Sequence, residues 1–95
     1  MLFILELYIN DNLTVQILSK QVTLEPNAYT AIDETVTEGI PYAIIGVQTN
    51  GANLAITQAY CSTIHKKVSV IFNNISSYQY SSTVYIYYLV KNTSE

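Results

Sequence analysis

The stretch Ser82–Lys91, reading Ser-Thr-Val-Tyr-Ile-Tyr-Tyr-Leu-Val-Lys, constrains the fold more than any other part of the chain. It is almost all β-branched, aromatic or large apolar, and it holds neither Gly nor Pro, which suits a strand on a pleated, buried surface. Alternation along such a strand sets Val84, Ile86, Tyr88 and Val90 on one face and Tyr85, Tyr87 and Leu89 on the other. Both faces are apolar, whereas a half-solvated strand alternates apolar with polar residues. This strand therefore needs cover on both sides: a domain core on one, and a second sheet, a loop or another subunit on the other.

The remaining segments read as further strands separated by turns. Residues 2–9 form a first strand, and Asn10-Asp11-Asn12 a polar turn. Leu13–Leu24 resumes the strand pattern through Val15 and Ile17, then Val22 and Leu24, with a bulge or break expected at Ser19-Lys20 where the alternation slips. Glu25-Pro26-Asn27 is a turn, and Tyr29–Thr37 an edge strand with one wet face. Glu38-Gly39-Ile40-Pro41 is the clearest break, followed by an apolar strand over Tyr42–Gln48 whose Gly46 marks a bulge or a close backbone approach. Asn50-Gly51 is a turn signal, and Leu54–Tyr60 places Leu54, Ile56, Gln58 and Tyr60 on one side. Cys61–His65 is a connection or continuation. Lys67–Asn73 sets Val68, Val70 and Phe72 against Ser69 and Ile71, then Asn73–Ser77 is a loop. Asn92–Glu95 is a polar, frayed tail. Seven or eight short antiparallel strands with regular turn signals and no helical periodicity predict a single all-β domain over residues 1–95, a β-sandwich of jelly-roll or immunoglobulin-like type.

Ninety-five residues suffice for one core. The chain is 49% hydrophobic but only 12% charged, well under the roughly 25% usual for soluble domains. So few charges on a small surface, together with nine tyrosines, point to oligomerisation or incorporation in a larger assembly. A net charge of −3 speaks against nucleic-acid binding, and Lys66-Lys67 is the only basic pair. The apolar start Met1–Ile9 lacks the positive leading region and cleavage site of a signal peptide, is interrupted by Glu6, and is too short to span a membrane; no other segment qualifies. Release by lysis within a particle is compatible with that pattern.

Chemistry-bearing residues are sparse. Cys61 and His65, four apart, have no evident third group to orient them and no turn glycine beside the cysteine, so a buried thiol and a loop histidine are expected. The acidic residues Asp33, Glu34 and Glu38 match no calcium-loop spacing and read as a solvated face. The expectation is no enzyme, no catalytic residue, no metal and no cofactor. Tyr78, Tyr80, Tyr85, Tyr87 and Tyr88 offer aromatic surface for a sugar platform, although core and subunit contact account for them better in a chain without Trp. Asn12-Leu13-Thr14, Asn74-Ile75-Ser76 and Asn92-Thr93-Ser94 match the N-glycosylation pattern and read as chance in an Asn- and Ser-rich chain.

Three stretches in order carry a family resemblance: Gly39-Ile-Pro-Tyr42-Ala-Ile-Ile-Gly46-Val47, Val68-Ser-Val-Ile-Phe-Asn73-Asn-Ile-Ser-Ser77 and Thr83-Val-Tyr-Ile-Tyr-Tyr-Leu-Val-Lys91. Over residues 20–91 they resemble a β-sandwich domain of virion accessory proteins (tail-fibre, baseplate, head-associated) from bacteriophages of Gram-positive hosts. Pro41 and the Tyr-Tyr-Leu-Val closing strand depart from that pattern. The resemblance implies a structural or attachment role in a virion, self-assembly with a trimer favoured, and contacts with other virion proteins. The expected oligomer interface or core residues are Tyr42, Tyr85, Tyr87 and Leu89, with the loops at Asn50–Asn53 and Asn73–Ser77 facing outward. The second reading is a carbohydrate- or receptor-binding module on a similar sandwich, with a host surface glycan as partner. Neither reading involves nucleic acid or membrane.

Overall fold

In a computed structural model, two twelve-residue strands, β2 (Leu13–Leu24) and β7 (Tyr80–Lys91), pair antiparallel along their whole length, from Leu13↔Lys91 to Leu24↔Tyr80. The other strands are β1 (Phe3–Tyr8), β3 (Tyr29–Thr35), β4 (Ile40–Gln48), β5 (Leu54–Ser62) and β6 (Lys67–Asn74). The structure describes residues 3–8, 13–50 and 53–92, with β1 described by its backbone alone. The expected turn at Asn10-Asp11-Asn12 lies outside them, as do Gly51 and residues 93–95 of the polar tail.

Two antiparallel sheets result: a four-stranded sheet in the order β1-β2-β7-β4 and a three-stranded sheet in the order β3-β6-β5. They face each other as a sandwich-like all-β fold around one core. Leu18, Val22, Leu24, Val84, Ile86, Tyr88 and Val90 enter it from the first sheet, and Ile32, Leu54, Val68, Val70 and Phe72 from the second. Each large side chain removed from water in this way contributes about 1.5–3 kcal/mol before ordering costs. The chain crosses between sheets at four of its six connections, and β1–β2 and β5–β6 are hairpins within one sheet. The pairing is nested: β2 with β7, then β3 with β6 inside it.

Local chemistry sets the turns. Between β2 and β3 the Ala28 amide donates to the Glu25 carbonyl at 3.0 Å, with Pro26 at the second position and Asn27 at φ 64° in the third. That is a type II turn, whose third position requires a positive φ that Asn tolerates. Gly39, at φ 89°, turns the chain into β4.

Three features differ from the sequence reading. Leu13–Leu24 has no bulge at Ser19-Lys20; both of its ladders run without a register shift. Its core face is Thr14, Gln16, Leu18, Val22 and Leu24, while Val15 and Ile17 point outward. Polar core positions are stable here because the Tyr88 hydroxyl donates to Gln16 Oε1 at 2.7 Å and Thr14 Oγ1 donates to Asn92 Oδ1 at 3.1 Å. Secondly, Leu54, Ile56, Gln58 and Tyr60 do not share a face. The ladder steps from Ile56↔Phe72 to Gln58↔Ile71, so Thr57 is an extra, bulged residue, held by bonds from its hydroxyl to the Ile71 carbonyl and to Asn73 Oδ1. Leu54 and Ile56 then take the core side, and Gln58 and Tyr60 the outer side. Thirdly, β6 runs through Asn73 to Asn74, and Asn74 is buried rather than part of an outward loop.

Candidate interaction surfaces

The outer face of the four-stranded sheet carries Tyr85, Tyr87 and Leu89 of β7, flanked by Leu13, Val15 and Ile17 of β2, with Leu89 opposite Val15 and Tyr87 opposite Ile17. Each of these six side chains is half-buried. Gly46 lies opposite Tyr87, leaving room beside the ring, and the Tyr87 hydroxyl donates to Gln48 Oε1 at 3.0 Å. Towards the other end the face turns polar but stays uncharged, through Ser19, Gln21, Thr23, Ser81 and Thr83; the Thr23 and Ser81 hydroxyls share a hydrogen bond at 2.8 Å. Lys91, at the last position of β7, is the single charge among the described outer residues of β2, β4 and β7. Strands of these lengths at ~4.8 Å spacing and ~3.3 Å per residue make a face of roughly 600 Å², on the scale of the ~800 Å² each partner contributes to a standard interface.

Tyr42 stands outside the regular ladder, on the edge strand of this sheet. The β4–β7 ladder is irregular between Pro41 and Ala43 and between Ile44 and Gly46, so Tyr42 and Ile45 are bulged residues, each 55% exposed. Gly46 does mark a bulge, with Ile45 as its extra residue.

A second apolar region lies on the flank where β4 and β5 form the edges of the two sheets. Ile56 points to the core side of β5 yet is 45% exposed, and Tyr60 and Ile45 add exposed surface there. Nothing in the residue pattern separates such a residue from a core one. Only the two sheet orders place it at an edge.

The five tyrosines named as a sugar platform are dispersed. Tyr88 is in the core, and Tyr80 packs against it while its hydroxyl donates to the Asn50 carbonyl at 2.9 Å. Tyr85 and Tyr87 sit on the outer face. Tyr78 is exposed in the β6–β7 connection and accepts a bond from Asn53 Nδ2 at 3.4 Å. They share no single surface.

Asp33 and Glu34 point to opposite sides of β3, each towards its own lysine: Asp33 Oδ2 is 3.5 Å from Lys67 Nζ, and Glu34 Oε2 is 3.9 Å from Lys20 Nζ. Both are exposed pairs of little energetic weight. Among the described residues no group of three or more His, Cys, Asp and Glu converges on a metal-sized site. Cys61 lies against the core from the inner side of β5, and partial burial raises its thiol pKa, the opposite of thiolate activation. His65 is exposed in the β5–β6 turn, where its amide donates to Ser62 Oγ at 3.0 Å.

No family model matches this chain, and no curated protein and no solved structure matches it either.

Proposed function

We propose that this chain is a non-enzymatic structural subunit of a bacteriophage virion, a small accessory protein that self-assembles and docks on the head, neck or tail. The observation that carries the reading is the outer face of the four-stranded sheet, with Val15, Ile17, Tyr87 and Leu89 side by side and Lys91 the one charge among its described outer residues. Burying apolar area at about 25 cal/mol per Å² is the available driving force, and ordering costs take back much of it. Cyclic closure hides the patch, and a trimer is the assembly the sequence resemblance favours. The nested winding supports a jelly roll rather than an immunoglobulin-like sandwich, because β7 lies between β2 and β4 while β6 lies between β3 and β5. Jelly rolls are frequent in capsid proteins, although fold by itself assigns no function.

Two experiments test this. Light scattering should give the wild type a mass that is a multiple of the 10.7 kDa chain. Tyr87→Lys should reduce the assembly while the domain stays folded, since Tyr87 lies outside the core and losing its cross-strand pair with Ile17 costs about 1 kcal/mol or less. A wild-type monomer at millimolar concentration rejects self-assembly. Particles banded on a density gradient from the source cells should carry the chain, and its confinement to the soluble fraction rejects the virion role.

A further inference from the structure

An eight-stranded jelly roll has one more strand beside each of the positions that β4 and β5 occupy here. In this chain β5 runs directly into β6, and β4 and β5 are left as sheet edges. Exposed edges recruit other strands, and proteins blunt those they do not use. Three of the four edges here are blunted. β3 carries Asp33 and Glu34, β4 carries Pro41 and two bulges, and β1 has Glu6 in its sequence. β5, Leu-Ala-Ile-Thr-Gln-Ala-Tyr-Cys-Ser, has no charge and no proline, and its single bulge at Thr57 leaves Gln58–Ser62 in regular register with β6.

We propose that the Gln58–Ser62 edge of β5 pairs antiparallel with the same edge of a second copy of this chain across a two-fold axis. The charge pattern selects that occupant. Across a two-fold axis at Tyr60 that residue meets its own copy, while Ala59 and Gln58 meet Cys61 and Ser62, so no charge is set against a like charge anywhere along this edge. A foreign segment drawn to a chain of net charge −3 would be recognised by complementary charge, which β5 does not offer. The geometry also limits the contact. The Thr57 bulge stops the new ladder after five residues, centring it on Tyr60, which is 50% exposed and would lie against its own copy. Aromatic pairs across adjacent strands add to the backbone bonds. Ala59 then faces Cys61 of the second copy. The joined sheet is six-stranded, and its outermost strands are the two β3 strands, whose Asp33 and Glu34 prevent further growth. The contact is separate from the outer face of the other sheet, so a trimer built through that face would be doubled to a hexamer with dihedral symmetry.

The test is a charge exchange at the axis. Tyr60→Lys and Tyr60→Glu, each alone, should halve the solution mass of the wild type, and an equimolar mixture of the two should restore it. The Tyr87→Lys variant should retain the doubling, which separates failure of this contact from failure of the outer-face assembly. A protein combining Tyr60→Cys with Cys61→Ser should cross-link to a covalent dimer under mild oxidation, because the two introduced thiols face each other. Single charge variants with the wild-type mass, a mixture that does not regain it, or no cross-link would overturn the pairing; unchanged mass is also the outcome expected of an edge that takes a foreign strand.

Discussion

Asn74→Asp should lower the stability of this domain by about 3–5 kcal/mol, the range for an uncompensated buried charge, although it exchanges one nitrogen for one oxygen. Asn74 is 1% exposed, and its side chain joins three segments. Nδ2 donates to the Leu24 carbonyl at the end of β2 and to the Tyr78 carbonyl before β7, both at 2.9 Å. Oδ1 accepts from the Ser76 amide at 2.9 Å and from the Ser76 hydroxyl at 2.7 Å. The Asn74 amide donates to the Ala28 carbonyl, and the Asn74 carbonyl accepts from the Asn27 amide. Aspartate keeps the accepting half of this arrangement and loses both donors, so its charge would face two carbonyl oxygens with no water to screen them. Neutralising the acid restores one donor. The folded state thus prefers the protonated form, and the loss should shrink as pH falls from 8 towards the ordinary aspartate value of about 3.9. Urea unfolding of both proteins at pH 8 and pH 4 measures this. A difference under 1 kcal/mol at pH 8 would mean that the three segments do not depend on the Asn74 donors.

That residue also marks a boundary of what the sequence discloses. Asn74-Ile75-Ser76 reads as a chance glycosylation pattern in a loop, yet the same three residues form a turn in which a side-chain oxygen captures the amide two residues on. The pattern carries the turn but not its burial, which arises because Leu24, fifty residues away in the chain, converges on it together with the nearby Tyr78 carbonyl. The closing strand is legible because both of its faces are apolar: Val84, Ile86, Tyr88 and Val90 are in the core, and Tyr85, Tyr87 and Leu89 form the middle of the outer face. β2 is legible as a strand but not in its orientation. Val15 and Ile17 are the obvious core residues by hydropathy, and they face outward because Gln16 is satisfied inside by the Tyr88 hydroxyl. Bulges limit the rest. Period-2 reading assumes an unbroken ladder, and one extra residue at Thr57 or at Tyr42 moves every later side chain to the other face. Tyr42, grouped with Tyr85 and Tyr87 from sequence, is such a bulged residue on the edge strand β4.

Gly39→Ala should cost about 2–5 kcal/mol through two effects that act together, backbone strain at a left-handed position and overpacking against a filled core. Gly39 opens the first of the three stretches that carry the family resemblance, and its φ of 89° lies where side-chain-bearing residues are strained. A Cβ there would lie 2.3 Å from Val90 Cγ1 and 2.9 Å from the Lys91 carbonyl oxygen. Val90 is fully buried, so its side chain has no space to swing into. Trimming the obstacle separates the two effects. Val90→Ala removes the nearer atom but leaves both the backbone oxygen and the φ, so the double variant should recover only part of the loss. The coupling should be favourable and roughly 1 kcal/mol, within the range for residues in direct contact. Chemical unfolding of the wild type, the two single variants and the double variant gives that number. Full recovery in the double variant would assign the glycine to packing against Val90 alone, whereas strict additivity would assign it to the turn into β4, with β7 uninvolved.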